Sequence, residues 1–122
     1  MITHVAITGF AVGDQESALA FWVDKVRFEK RSDHPYGEGT RWLEVAPPGA
    51  LTRVVLSPAS EHVPVRVSPV PVMGFETADL RATYEALAAR GMEFVEPPTA
   101  QPWGTQAVFR DPDGHLFVLV EP

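Results

Sequence analysis

Hydrophobic and polar residues alternate through Thr3-His4-Val5-Ala6-Ile7-Thr8, the two-residue period of a half-buried strand. The period then lengthens. Asp14 is placed to cap a helix whose apolar stripe runs Ala18, Phe21 and Trp22, with Phe28 at its exit. Three further stretches read as strands: residues 28–32, 40–46 and 52–57, the last two joined by the turn sequence Pro47-Pro48-Gly49. The same order returns in the second half. A strand over 70–76 leads to a helix capped by Thr77 or Asp79, with Leu80, Tyr84, Leu87 and Ala88 turned inward. Arg90-Gly91 stops that helix, glycine supplying the left-handed residue past its end. Strands over 92–96, 104–110 and 115–121 follow, and Asp111-Pro112-Asp113-Gly114 turns the last hairpin.

The two halves keep one offset. Asp14 pairs with Asp79, Phe28 with Phe94, Leu43 with Phe109, and Pro48-Gly49 with Asp113-Gly114, each about 65 residues apart. The pattern therefore predicts an α+β protein of two tandem βαβββ modules, with a curved mixed sheet around a cavity and the helices on the outer face. Module 1 covers about residues 1–57 and module 2 about 71–122 of a single domain. The linker over about 58–70 carries Pro58, Pro64 and Pro69, which cannot donate to a ladder and favour extended chain.

Composition narrows the function. At 122 residues the chain is one ordinary domain with room for a core. It has no cysteine, so disulfides, thiolate metal sites and thiol nucleophiles are excluded. A net charge of −6 argues against nucleic acid, whose phosphates need a basic face. No stretch is apolar enough for a membrane span, and the first residues do not read as a signal peptide. A cytoplasmic protein that binds a small molecule or another protein is expected.

His4-Val5, the helix Ala18-Leu19-Ala20-Phe21-Trp22, the run Phe109-Arg110-Asp111-Pro112-Asp113-Gly114 and the closing Phe117-Val118-Leu119-Val120-Glu121 together resemble the vicinal oxygen chelate superfamily. That superfamily includes glyoxalase I, extradiol dioxygenases, fosfomycin-modifying enzymes and bleomycin-binding resistance proteins. The resemblance covers essentially the whole chain and implies a homodimer. It departs at Arg27, where the family commonly has glycine. Metal enzymes of the family place one His, Glu or Gln on the first and last strands of each module. His4 matches the first position, but the others fall at Leu56, Val72 and Val118, which have no electron pair to donate. The expectation is a member with no metal and no cofactor.

If His4 faces the cavity, alternation places Ala6, Thr8, Leu56, Val72, Gly74, Val118 and Val120 there with it. By repeat, Trp42 and Glu44 pair with Val108 and Arg110, and Trp103 stands at the rim. The expected ligand-binding set is thus His4, Trp42, Glu44, Leu56, Trp103, Val108, Arg110 and Val118, around a flat apolar or aromatic molecule. Plainer roles stay open: Trp42 as a core or dimer aromatic, Glu44 and Arg110 as a salt bridge, Trp103 as a packing anchor, His4 without chemical work.

The leading expectation is a binding protein that sequesters an antibiotic-like ligand for resistance or self-protection, without catalysis. The alternatives are a glyoxalase-like lyase or dioxygenase, a metal-free isomerase or cyclase using Glu44 as base, and a scaffold that only dimerises.

Overall fold

The computed structural model describes residues 1–122 and divides into two compact units, Met1–Arg66 and Val67–Pro122. The boundary falls inside the segment that its prolines mark as a linker. Each unit has one four-stranded mixed sheet. In the first, β1 (Ile7–Val12), β2 (Glu29–Pro35), β3 (Arg41–Ala46) and β4 (Arg53–Pro58) lie in the order β1-β4-β3-β2. In the second, β5 (Met73–Glu76), β6 (Phe94–Gln101), β7 (Gly104–Arg110) and β8 (Leu116–Glu121) lie in the order β5-β8-β7-β6. The strand order is the same in both, with one parallel pair and two antiparallel pairs each. This is the two-module α+β architecture that the repeat predicts.

In the first unit, Asp14 caps α1 (Gln15–Ala20) by accepting a 2.9 Å hydrogen bond from the Ser17 amide. A π-helical turn, Phe21–Lys25, carries the helix on. The chain then reverses at Arg27, whose φ of 70° makes it the single non-glycine residue in the left-handed region. The side-chain amide of Gln15 fastens the helix start to the sheet: its Nε2 donates to the Arg41 and Leu56 carbonyls, and its Oε1 accepts from the Arg41 amide. The core forms where the helix covers the sheet. Trp22 is fully buried there, between Phe10 at 6.1 Å and Phe28 at 5.1 Å.

In the second unit, Asp79 caps α2 (Leu80–Ala89) through the Ala82 amide, and Gly91 ends it at φ 85°. Glu121 at the end of β8 accepts from the Leu80 amide at 2.8 Å, tying the helix start to the sheet. Tyr84 of α2 meets Phe94 at 4.7 Å at the end of a ladder of rings, Phe94–Phe109–Phe117–Phe75, with centroids 5.4 to 6.1 Å apart, and Leu80 and Leu87 of the same helix are buried.

Several strands depart from the expected bounds. The first begins at Ile7 instead of Thr3, because the parallel ladder to β4 runs from Ile7↔Arg53 to Val12↔Pro58 and passes through Gly9. Strand β6 runs through Pro97 and Pro98, which an outermost strand tolerates, although its register shifts between Glu96 and Thr99. Strand β5 starts at Met73, after Pro71, with Val70 and Val72 exposed.

The ladders also correct the repeat pairing. Gly9 lies beside Val55, and Val55 beside Glu44; Gly74 lies beside Val118, and Val118 beside Val108. Val108 is therefore the counterpart of Glu44, and Ala107, two residues before Phe109, the counterpart of Leu43.

Candidate functional site

A strand shows alternate residues to opposite faces, so each sheet has a face under its helix and a face away from it. In the first unit Leu43, Val45, Val54 and Leu56 lie under the helix with Phe10 and Val12, all but Phe10 being buried. On the opposite face a row runs across the sheet: Gly9, Val55, Glu44, Ser32. Trp42 is on this face two residues before Glu44, and its indole Nε1 donates to Glu44 Oε2 at 3.1 Å. Arg53 Nε lies 3.7 Å from the other carboxylate oxygen. Glu44 is only 4% exposed, so its charge is held by an indole N–H and a guanidinium instead of by bulk water. Tyr36 packs its ring edge-on against Trp42, centroids 5.5 Å apart, and leaves its own ring largely exposed.

The second unit repeats the row with different side chains: Gly74, Val118, Val108, Glu96. Leu116 and Val120 flank it, and Arg110 and Gln106 stand opposite them on β7. A hydrogen-bonded chain edges this apolar patch, Trp103 Nε1 donating to Gln106 Oε1 at 3.0 Å and Gln106 Nε2 to Glu96 Oε1 at 3.2 Å.

The expected residues are thus partly assembled. Trp42 and Glu44 come together in one unit; Val108, Val118 and Arg110 share a face in the other, with Trp103 reaching it through Gln106. Two residues stand apart. His4 precedes β1, is exposed, and shares a 3.0 Å hydrogen bond with Thr3, so strand alternation does not aim it at a face. Leu56 is fully buried under the helix beside Phe10, so it belongs to the core face and not to a cavity lining. Ile7, Gly9 and Ala11, not Ala6 and Thr8, share the face of Val55. The alternative of a salt bridge between Glu44 and Arg110 also fails: Glu44 faces Arg53, and Arg110 pairs with Glu93 at 3.2 Å. The expected ligand-binding set omits Val55, Arg53, Tyr36 and Gln106. The shared spacing of Gly9-Phe10 and Gly74-Phe75 is the signal that would have set β1 correctly.

The first- and last-strand positions that a metal would need on these faces carry Gly9, Val55, Gly74 and Val118, whose side chains offer no donor, so these residues do not fit one there. The one group of donors close enough to meet a cation is the β7–β8 turn, where ligand atoms of Asp111, Asp113 and His115 lie within 4.8 Å of one another. Asp111 Oδ1 already accepts from the Asp113 and His115 amides, which is the work of a turn aspartate. Burial pushes the Asp111 carboxyl above the usual carboxylate range, against the downward pull of the His115 ring and these amides.

Two βαβββ units with identical strand order, each with one sheet face under its helix and the other free of it, define the vicinal oxygen chelate class of fold. Residues 1–119 match the Glyoxalase/Bleomycin resistance protein/Dioxygenase superfamily, and the chain belongs to that family. The uncharacterised protein YetH of Bacillus subtilis (strain 168) is 39% identical over 99% of this chain and 100% of its own length. The crystal structure of TnmS3, an antibiotic binding protein from Streptomyces sp. CB03234, is similar at TM-score 0.88 and 38% identity, covering 99% of this chain and 97% of that one. A superfamily member from Sphaerobacter thermophilus DSM 20745 is similar at TM-score 0.88 and 37% identity, covering 99% and 98%. No helix is long and apolar enough to cross a membrane.

Proposed function

We propose that this protein binds a flat, largely apolar aromatic molecule of antibiotic type on the helix-free faces of its sheets, sequestering it without reaction. The observation that carries the reading is the helix-free face itself. Val108 and Val118 pair directly on a face that no helix covers, Val108 buried and Val118 half-buried, and Trp42 offers an indole oriented by Glu44 on the matching face of the first sheet. Such a surface gives a planar ligand apolar contact and few, fixed polar partners. The antibiotic-binding neighbour at 38% identity supports the same class of ligand. A homodimer and a cytoplasmic location go with this reading, as expected for a resistance or self-protection protein.

A second reading rests on Glu44, a buried carboxylate suited in type to a metal-free isomerase or cyclase. Its two oxygens, however, face Trp42 Nε1 and Arg53 Nε, which leaves proton abstraction poorly served.

Titration of the purified protein with a panel of aromatic antibiotics, followed by tryptophan fluorescence and by mass spectrometry of the recovered compound, tests both. Saturable quenching with unchanged compound supports sequestration. A mass change, or an isomer separable by chromatography, overturns it in favour of the enzyme. Light scattering on the same sample reads the oligomeric state.

A further inference from the structure

At one end of the helix-free face of the second sheet, the chain entering β5 passes the β7–β8 turn and borders an open cleft of about 300 Å³. Its lining is Val67, Ser68, Pro69, Arg110, Gly114 and Leu116. The wall is held in place: the Val72 amide donates to the Leu116 carbonyl at 2.8 Å, and Gly114 turns at φ 93° directly under the Val67 methyls. Arg110 and Leu116 are cross-strand partners, so the guanidinium and the leucine share the floor. The lining mixes apolar side chains, Val67, Pro69 and Leu116, with the Ser68 hydroxyl and one charged group, Arg110.

That charge is lightly used. Arg110 Nη1 reaches Glu93 at 3.2 Å, but the two side chains are 45% and 63% exposed, the geometry of a weak surface pair. A guanidinium has five N–H donors in a planar fork suited to carboxylate or sulfonate oxygens. The chain as a whole carries −6, which repels anions, so any preference for them has to come from a local group.

We propose that this cleft takes the acidic end of an apolar anion, Arg110 holding its carboxylate or sulfonate while Val67, Pro69 and Leu116 cover the adjoining apolar part. The inference rests on the aromatic-ligand reading above and adds to it the charge of the ligand. The cleft continues the valine face through Arg110 and Val108, which stand two residues apart on β7.

A matched pair of fluorescent probes separates the two ideas. 1-Anilinonaphthalene-8-sulfonate and N-phenyl-1-naphthylamine share an aromatic body and differ by the sulfonate. The sulfonate is expected to bind more tightly than the neutral probe. Arg110→Leu should weaken the sulfonate roughly 10-fold, the effect of losing a charged hydrogen-bond donor, and leave the neutral probe within about 2-fold. Glu93→Gln, which frees the guanidinium, should tighten only the sulfonate. Equal loss of both probes in Arg110→Leu, or no loss of either, overturns the anion site. Binding of the neutral probe without any preference for the sulfonate overturns it too, yet leaves the aromatic-ligand reading standing. Failure of both probes to bind overturns both.

Discussion

Gly9 lies so close to Val55 that a Cβ built on it would sit 2.5 Å from the Val55 carbonyl oxygen and 2.9 Å from its Cβ. Gly74 stands in the same relation to Val118, but there the nearest atom is a side-chain methyl at 2.7 Å. Backbone in a ladder cannot yield as a methyl can. Gly9→Ala should therefore destabilise by about 1–3 kcal/mol, the usual cost of overpacking, and outweigh the gain from a stiffer unfolded chain. Gly74→Ala should cost less, and Val118→Ala should lessen that cost in a double-mutant cycle. Urea midpoints give all four values, and an equal penalty at the two glycines would refute the distinction.

Arg27 occupies a conformation that costs a side-chain-bearing residue about 1–2 kcal/mol. Its Nε donates to the Asp24 carbonyl at 2.8 Å on the exposed surface, which offsets little of that. Arg27→Gly should raise stability by up to about 1 kcal/mol after glycine's extra unfolded-state entropy is counted. Arg27→Val should lower it, since a β-branched residue tolerates this region least. A glycine variant that melts below the parent protein would contradict the argument.

Asp33 is gripped by Arg41 through both oxygens, at 3.0 and 2.7 Å, and Arg41 also reaches Glu16. The hydrogen bonds from Arg41 lower the Asp33 carboxyl from 3.8 to about 2. A depressed folded-state value means that the stabilisation is fully present above the unfolded value of 3.8 and is lost as pH falls toward about 2. Asp33→Asn should be less stable than the parent at neutral pH, and the gap should close across that acid window. Urea unfolding at steps between about pH 5 and pH 2 checks it. A constant gap would place the effect elsewhere.

Once an aromatic ligand is in hand, Trp42→Ala and Trp103→Ala should each weaken binding roughly 10-fold, since stacked aromatics add about 0.5–1.5 kcal/mol beyond area burial. Trp22→Ala is the contrast. Trp22 is fully buried, and its truncation should cost about 3–5 kcal/mol of stability. Normal binding by folded Trp42 and Trp103 variants would move the site away from these indoles.

Local signals carried most of the fold. Asp14 and Asp79 cap their helices as read, Gly91 ends the second, and residues 104–110 form a strand at the expected bounds. The misreadings come from long-range pairing. Gly9 looks like a strand breaker until β4 lies against it, and Pro97-Pro98 looks like a loop until β6 proves to be an outermost strand. The site follows the same rule. Trp42 and Glu44 meet because they are two apart on one strand, which spacing foretells. That Arg53 approaches Glu44, and that Arg110 turns to Glu93, depends on which strands neighbour one another. The aim of His4 was lost with the bounds of β1.

The π-helical turn at Phe21–Lys25 explains why the two halves drift out of step. The helix caps Asp14 and Asp79 are 65 apart, but the left-handed residues that end the helices, Arg27 and Gly91, are 64 apart. The first helical segment is thus one residue longer than the second, and the widened turn accommodates the extra residue. On the second and third strands the halves must be compared at 64, and the strand pairings agree: Ser32 answers to Glu96 and Glu44 to Val108, while on the last strand Val55 answers to Val118 at 63. The acidic position has thus moved from an inner strand in one copy to the outer strand in the other. The two halves, alike in strand order, therefore present two chemically unlike helix-free faces.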